Sequence, residues 1–175
     1  MNGDPSDDGS AVPQLSRTDH APLKLEEFLP YRLNVVASLV SQALSRIYAD
    51  RYGIGVPEWR VLVTLGQYGM MTGKAIGAHS HMHKTKVSRA VALLEKRKLV
   101  TRRANRADLR ESFLALAPAG RAMYEDLAPS ALEFANRLAE AVEPADRAAF
   151  GRAVDRLTER SAKLAAEFAK SRRSE

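Results

Sequence analysis

The chain has 175 residues and a formal net charge of +6, and 45% of its residues are hydrophobic whereas only 6% are aromatic. A chain of this length forms one hydrophobic core, or one core with extended helical arms, and its content of Ala and Leu favours helix over sheet. The absence of cysteine excludes disulfides, thiolate nucleophiles and thiol-based redox sensing. No apolar run reaches the ~18 residues of a bilayer span, and residues 1–22 lack the basic and apolar regions of a secretory signal, so we expect a cytoplasmic protein without a membrane partner.

The N-terminal part of the chain divides into an irregular arm and a long helix. Residues 1–23 lack hydrophobic periodicity, and we expect a disordered acidic arm there, as well as a disordered tail at 171–175. In the segment 24–56, apolar residues recur every three or four positions from Leu25 to Arg51, which predicts one face of a long helix. Pro30 is tolerated only in a first helical turn, so regular helix is expected to begin there, and Gly53 is expected to end it.

A central segment, 57–117, is predicted to contain three helices followed by a β-hairpin. Pro57 indicates the start of a helix that closes at Gly69, and Thr72 is expected to cap a short third helix. The second helix is expected to bury Trp59, Leu62, Val63 and Leu65 in the protein core. The fourth helix, from about His83 to Arg97, is expected to bury Val87, Val91 and Leu94. Leu99–Ala104 and Glu111–Leu116 are predicted strands of a two-stranded wing, with residues 105–110 at its tip.

The C-terminal segment, 118–170, is predicted to form two further helices. Pro118 starts one that runs to about Val142, and Pro144 starts another. The second of these carries a near-heptad stripe made of Phe150, Val154, Leu157, Ser161, Leu164 and Phe168. Such a stripe requires a partner helix, and helices that flank a compact module expose more apolar surface than one small core covers. We therefore expect a homodimer formed by the N- and C-terminal helices around a mostly α-helical winged helix-turn-helix core.

The positive charge of the chain is concentrated between Thr72 and Arg110. This stretch has eleven Lys or Arg residues but only two acidic residues, Glu95 and Asp108, so its charge exceeds that of the whole chain. A basic block on an otherwise mildly acidic chain indicates a polyanionic partner. The simpler alternative is a solvated basic face.

The order helix, turn, helix and charged hairpin is typical of a module that binds duplex DNA. A recognition helix needs hydrogen-bond donors on one face and aliphatic residues on the other, because one face enters the major groove while the other packs on the domain. The fourth helix meets this requirement. At the wing tip, Asp108 and Arg110 are spaced to form a local ion pair that directs the guanidinium towards the minor groove.

Several segments resemble the MarR family of bacterial transcriptional regulators. They are Thr85-Lys-Val-Ser-Arg-Ala-Val-Ala-Leu-Leu-Glu95, Leu99-Val-Thr-Arg102, Asp108-Leu-Arg110, Pro57-Glu-Trp-Arg60 and Pro118-Ala-Gly-Arg121. The similarity extends from about Leu25 to Phe168, and its motifs are specific in combination but weak one at a time. The resemblance implies a homodimeric winged-helix protein, usually a repressor, that binds a palindromic double-stranded DNA operator and releases it when a small molecule binds.

The resemblance also assigns roles to individual residues. Thr85, Lys86, Ser88 and Arg89 correspond to the recognition helix, Arg110 to the wing arginine and Asp108 to its acidic neighbour. The predicted DNA-binding residues are therefore Lys84, Thr85, Lys86, Ser88, Arg89, Arg106, Asp108 and Arg110. The chain departs from the family at two positions: Lys98 replaces the usual glycine, and Ala117 replaces a threonine whose capping hydroxyl contributes about 1 kcal/mol.

Members of the family commonly hold an effector between the dimerisation helices and the DNA-binding lobe. In this chain Tyr31, Arg32, Trp59 and Arg60 provide aromatic surface beside cationic groups, which suits a small anionic aromatic effector such as an aromatic acid or an aryl-CoA thioester. The chain is similar overall to regulators of hydroxycinnamate or related aromatic-acid catabolism. The alternative is that Trp59 is part of the core and Arg60 is a surface charge.

Two other functions remain open at this level. An architectural, sequence-independent DNA-binding protein would carry the same basic block. The histidines His79, His81 and His83 suggest a metal-responsive regulator, although helical residues two apart point about 200° away from each other and no cysteine is available. An enzyme is not expected, and neither is a cofactor, because the chain has no nucleophile elbow, no phosphate-binding glycine loop and no histidine with an evident nucleophile partner.

Overall fold

The computed structural model describes residues 22–104 and 111–172. Its contacts divide the chain into two compact units, one ending at Ser38 and the other beginning at Leu39. The described residues form six helices and three strands. The helices are α1 (Leu29–Tyr52), α2 (Val56–Tyr68), α3 (Gly73–Ser80), α4 (Lys84–Lys96), α5 (Pro118–Ala139) and α6 (Arg147–Ser171), and the strands are β1 (Met71–Thr72), β2 (Val100–Ala104) and β3 (Ser112–Leu116). The predicted fold class, mostly α with a small β-wing, is confirmed. Most of the predicted disordered arm (1–23) and tail (171–175) lies outside the described residues, which begin at residue 22 and end at residue 172, but Ser171 is the last residue of α6.

Local signals define the ends of α1 and α2, as predicted. Pro30 lies in the first turn of α1, and Gly53 follows its last residue with a φ of +60°. Gly55 caps the N-terminus of α2, where its N–H donates to the Glu58 carboxylate over 2.9 Å. Gly69 ends the same helix with a φ of +76°, a conformation that glycine adopts without a Cβ penalty.

The start of α6 differs from the prediction. Pro144 does not open the helix but lies in a turn in which the N–H of Asp146 donates to the carbonyl oxygen of Glu143 over 2.9 Å. Asp146 occupies the N-cap, and the helix begins at Arg147. A proline is compatible with a tight turn as well as with a first helical turn, and the sequence signal does not separate the two.

The sheet has three strands rather than the predicted two. Its order is β1-β3-β2, and both pairings are antiparallel. The register of the wing pairs Val100 with Leu116 and Ala104 with Ser112, whereas β1 adds Met71 opposite Leu114. The extra strand covers the other edge of β3 and satisfies backbone groups that an exposed edge would leave unpaired.

The core lies among α2, α3, α4, the sheet, the first half of α5 and the end of α1. It consists of Tyr48, Ile54, Trp59, Val61, Leu62, Leu65, Ile76, Met82, Val87, Ala90, Val91, Leu94, Leu99, Val100, Leu114, Met123 and Leu127. The prediction for α2 was wrong in one detail, because Val61 is fully buried whereas Val63 is only partly buried. The buried face of α2 is wider than one stripe, since helices and sheet pack on several of its sides.

None of the helices in residues 22–104 and 111–172 is both long enough and apolar enough to cross a bilayer.

Candidate nucleic-acid interface

The structure confirms that α4 has one buried and one exposed face. Four aliphatic residues of α4 are buried, namely Val87, Ala90, Val91 and Leu94. Five exposed residues at its N-terminal end carry cationic or hydroxyl groups, namely Lys84, Thr85, Lys86, Ser88 and Arg89. These five are predicted DNA-binding residues, and they lie on consecutive exposed positions around buried Val87. Donors gathered on one side of a firmly packed helix suit insertion into a major groove.

The turn that precedes α4 is defined by two histidines. His81 ends α3 in the left-handed conformation with a φ of +50°, and its N–H donates to the carbonyl oxygen of Gly77. His83 is the N-cap of α4, where its Nδ1 accepts a hydrogen bond from the Thr85 N–H over 3.3 Å. At the other end of α3, the Thr72 hydroxyl accepts from the Ala75 N–H over 3.2 Å, as predicted. These caps fix where each helix of the helix-turn-helix begins or ends.

The stem of the wing is joined to α4 by a bidentate ion pair. Arg102 on β2 donates to both carboxylate oxygens of Glu95, with Nε–Oε1 and Nη2–Oε2 distances of 2.9 and 3.0 Å. The hydrogen bonds to Glu95 raise the pKa of Arg102 above its ordinary value. The remaining predicted DNA-binding residues, Arg106, Asp108 and Arg110, lie outside the described residues.

An open cleft of about 690 Å³ lies between α3, α4 and the sheet. Its apolar floor includes Val87, Val91 and Leu114. The lining residues with polar or charged side chains are Thr72, Lys74, His83, Lys84, Ser88, Arg102, Glu111 and Ser112. The charged side chains of the lining are Lys74, Lys84, Arg102 and Glu111, so the cleft carries a net positive charge, which suits an anionic group.

The sequence of this module matches one protein family. Residues 52–111 match the model of the MarR family. No curated protein matches the chain by sequence.

Solved structures share the fold of the chain. A MarR/EmrR family transcriptional regulator from Acinetobacter sp. ADP1 is 23% identical, and the match covers 81% of this chain and 99% of that one with a TM-score of 0.74. Sco3205, a MarR family transcriptional regulator from Streptomyces coelicolor solved in complex with DNA, is 22% identical over 81% of this chain and 91% of its own, with a TM-score of 0.70. BpsR from Bordetella bronchiseptica, whose DNA binding is regulated by 6-hydroxynicotinic acid, is 20% identical over 79% of this chain and 98% of its own, with a TM-score of 0.70. At these identities the likeness establishes the fold, which is that of MarR family transcriptional regulators.

The C-terminal end of α4 is anchored to α1 and α5. Arg97 donates to the backbone carbonyl oxygen of Tyr52 over 2.7 Å, and the Tyr52 hydroxyl donates to Asp126 over 2.7 Å. Arg51 pairs with the same carboxylate over 3.1 Å. The hydrogen bond to Asp126 raises the pKa of the Tyr52 hydroxyl. Lys98 follows with a φ of +59°, so the side chain that replaces the usual glycine is held in a strained conformation.

The residues predicted for an effector have different surroundings. Trp59 is 8% exposed, and its ring stacks on Tyr48 with a centroid distance of 5.0 Å, which favours the alternative that it belongs to the core. Arg60 is exposed and donates to the carbonyl oxygen of Ser80 over 3.4 Å. Tyr31 and Arg32 are exposed in the first turn of α1, in the unit that ends at Ser38.

The three histidines of the metal hypothesis are engaged separately. His81 and His83 serve as helix caps, and the His79 ring lies against Tyr68 with a centroid distance of 4.5 Å. Among residues 22–104 and 111–172, no three His, Cys, Asp or Glu side chains are grouped to hold a metal ion.

Sequence reasoning missed the two polar anchors of α4. Glu95 offered a signal, because it is the single acidic residue on a basic helix and such a carboxylate needs a cationic partner. The bond between Arg97 and Tyr52 joins a side chain to a backbone carbonyl 45 positions away and has no signal of this kind.

Proposed function

We propose that the chain is a homodimeric, sequence-specific DNA-binding regulator that acts as a repressor and is released from a pseudo-palindromic operator by a small anionic aromatic ligand. The observation that carries the proposal is the exposed cationic and hydroxyl face of α4, backed by four buried aliphatic residues. The positive charges of Lys84, Lys86 and Arg89 attract backbone phosphates. The Arg89 guanidinium can also donate two hydrogen bonds to one guanine edge, and a lysine ammonium can donate to the same acceptors. The wing residues Arg106, Asp108 and Arg110 remain part of the proposed interface.

The proposed homodimer rests on exposed apolar side chains in the terminal helices. No described residue of α6 is buried, although the helix has a continuous apolar stripe. Its exposed large side chains are Phe150, Val154, Leu157 and Phe168, and those of α1 are Leu29, Tyr31, Leu33, Val36 and Leu39. A second copy of the chain would cover such stripes, and a two-fold axis would place two copies of α4 in successive major grooves about one helical turn apart.

The proposed effector is an aromatic carboxylate. Its proposed contacts are Tyr31, Arg32, Trp59 and Arg60; Tyr31, Arg32 and Arg60 are exposed, and Trp59 is 8% exposed. The regulation of BpsR by 6-hydroxynicotinic acid supports this class of ligand, because the compound is an aromatic acid and BpsR shares the fold. Release requires a difference of only a few kcal/mol in ligand affinity between two dimer conformations.

The experiment starts from a pool of random duplexes of about 30 base pairs, long enough for two half-sites. A regulator should enrich one pseudo-palindromic sequence and bind it at least ~10³-fold more tightly than an unselected duplex. An architectural DNA-binding protein would bind both duplexes alike and would refute the sequence-specific function. Calorimetric titration with 6-hydroxynicotinic acid, hydroxycinnamic acids and their CoA thioesters then tests the effector, and no heat across the panel would refute that part of the proposal.

A further inference from the structure

Glu95 is an acidic residue on a helix whose exposed face is otherwise cationic or neutral. Its carboxylate accepts from Nε and Nη2 of Arg102 over 2.9 and 3.0 Å, and the two side chains are 29% and 50% exposed. This bidentate arrangement fixes the orientation of the two groups as well as their separation. The pair is therefore better suited to setting geometry than a single contact between two flexible side chains.

The pair connects the two elements that are proposed to contact DNA. Glu95 lies in the last turn of α4, and Arg102 lies in the middle of β2, opposite Leu114 of β3. The chain between α4 and β2 is only Arg97, Lys98 and Leu99, and Lys98 has a φ of +59°. The ion pair thus bridges the short turn that joins α4 to β2.

Glu95 accepts from the Nε–H and from one Nη2–H of Arg102, so this bidentate edge of the guanidinium is not available to a phosphate, and only the Nη1 donors and the second Nη2–H remain. A carboxylate near a DNA-binding face also repels phosphates, so its charge alone opposes binding. We propose that Glu95 is a positioning residue that holds the wing stem in the orientation in which the wing and α4 engage DNA together. This inference rests on the proposed DNA-binding function.

Substitution of Glu95 by Gln distinguishes positioning from simple electrostatics, because the two effects have opposite signs. Removal of a negative charge from a basic surface strengthens binding to any duplex. Loss of a positioning contact weakens binding to the preferred duplex, since the wing must then be ordered during association. The second effect also lowers the ratio of specific to non-specific affinity, because an unselected duplex does not depend on the exact placement of the wing.

The experiment compares the parent protein with Glu95→Gln, Arg102→Lys and the double variant Glu95→Arg/Arg102→Glu. The probes are the duplex that the parent selects and an unselected duplex of the same length. We expect Glu95→Gln and Arg102→Lys to bind the selected duplex about tenfold more weakly, and the exchanged pair to recover most of this loss. Glu125→Gln, which removes an acid from an exposed position of α5, should leave both affinities unchanged.

Thermal unfolding, followed by the fluorescence of Trp59, shows that the variants fold. Their melting temperatures should change little, because exposed ion pairs contribute little to stability. Equal or tighter binding of the selected duplex by Glu95→Gln overturns the proposal, and so does an exchanged pair that binds as weakly as Glu95→Gln. A parent protein that selects no duplex refutes the proposed function instead, so the two failures are distinguishable.

Discussion

Gly120 lies where the start of α5 crosses the beginning of β2, and we expect Gly120→Ala to destabilise the protein. A Cβ at this position would overlap the carbonyl oxygen of Leu99, and the carbonyl carbon would lie only 2.9 Å away. The carbonyl group cannot easily rotate away, because its oxygen accepts a hydrogen bond from the Ala117 N–H over 2.9 Å. The added methyl group must therefore displace backbone rather than the end of a flexible side chain.

The magnitude follows from three contributions. Overpacking by one methyl group costs about 1–3 kcal/mol, and a weakened hydrogen bond between Ala117 and Leu99 costs about 0.5–1.5 kcal/mol. The higher helix propensity of alanine offsets up to ~1 kcal/mol of this loss. We therefore expect the free energy of unfolding to fall by about 0.5–4.5 kcal/mol.

Urea denaturation monitored by Trp59 fluorescence measures the change, at one fixed protein concentration for all variants. Gly151→Ala is the matched control, because this glycine is exposed within α6 and a Cβ there would meet no atom within 4 Å. The control should gain up to ~1 kcal/mol from helix propensity alone. A Gly120→Ala variant that is as stable as the parent, or stabilised like the control, would refute the steric argument.

Three further predictions concern function. Arg89→Ala should weaken binding to the selected duplex by about 1–3 kcal/mol in a gel-shift titration, whereas Arg46→Ala on α1 should have little effect; equal losses would show that α4 has no special role. Phe168→Glu should convert a dimer to a monomer in analytical ultracentrifugation without loss of helix content, because this side chain is 67% exposed in the single chain; an unchanged dimer would exclude this end of α6 from the interface. Arg60→Ala should weaken the binding of an aromatic acid, measured by calorimetry, by about 1.5–3 kcal/mol, whereas DNA binding without the acid should persist. An unchanged affinity for the acid would exclude Arg60 from the effector site.

The helices of the central segment were predictable because their signals are local. Pro57, Gly69 and Thr72 act within one turn of the residues that they start, stop or cap, and the structure places all three as expected. The helical spacing of Val87, Val91 and Leu94 among polar residues similarly predicts the buried side of α4 from the sequence of this helix alone. The same pattern predicts the exposed side of α4, which is one part of the candidate interface.

Other features depend on groups that are far apart in sequence. Strand β1 has only two residues, which is too short for a periodic pattern to predict a strand. Its partners in β3 also lie more than 40 residues away along the chain. Val61 and Val63 are equally hydrophobic, and their different burial reflects which neighbours pack on each side of α2. The stacking of Trp59 on Tyr48 likewise depends on how α1 packs against α2, which the sequence of either helix alone does not show.

From the order of its residues alone, this chain could be recognised as a mostly helical protein with a basic winged-helix module, because caps, periodicity and charge clustering act over a few positions. The partners in the polar contacts of this module could not be derived in the same way. The contacts from Glu95 to Arg102, and from Tyr52 to Asp126 across 74 positions, form only when separate elements pack together. A polar side chain has many partners available in an unfolded chain, and packing of the core selects one of them by fixing distance and direction.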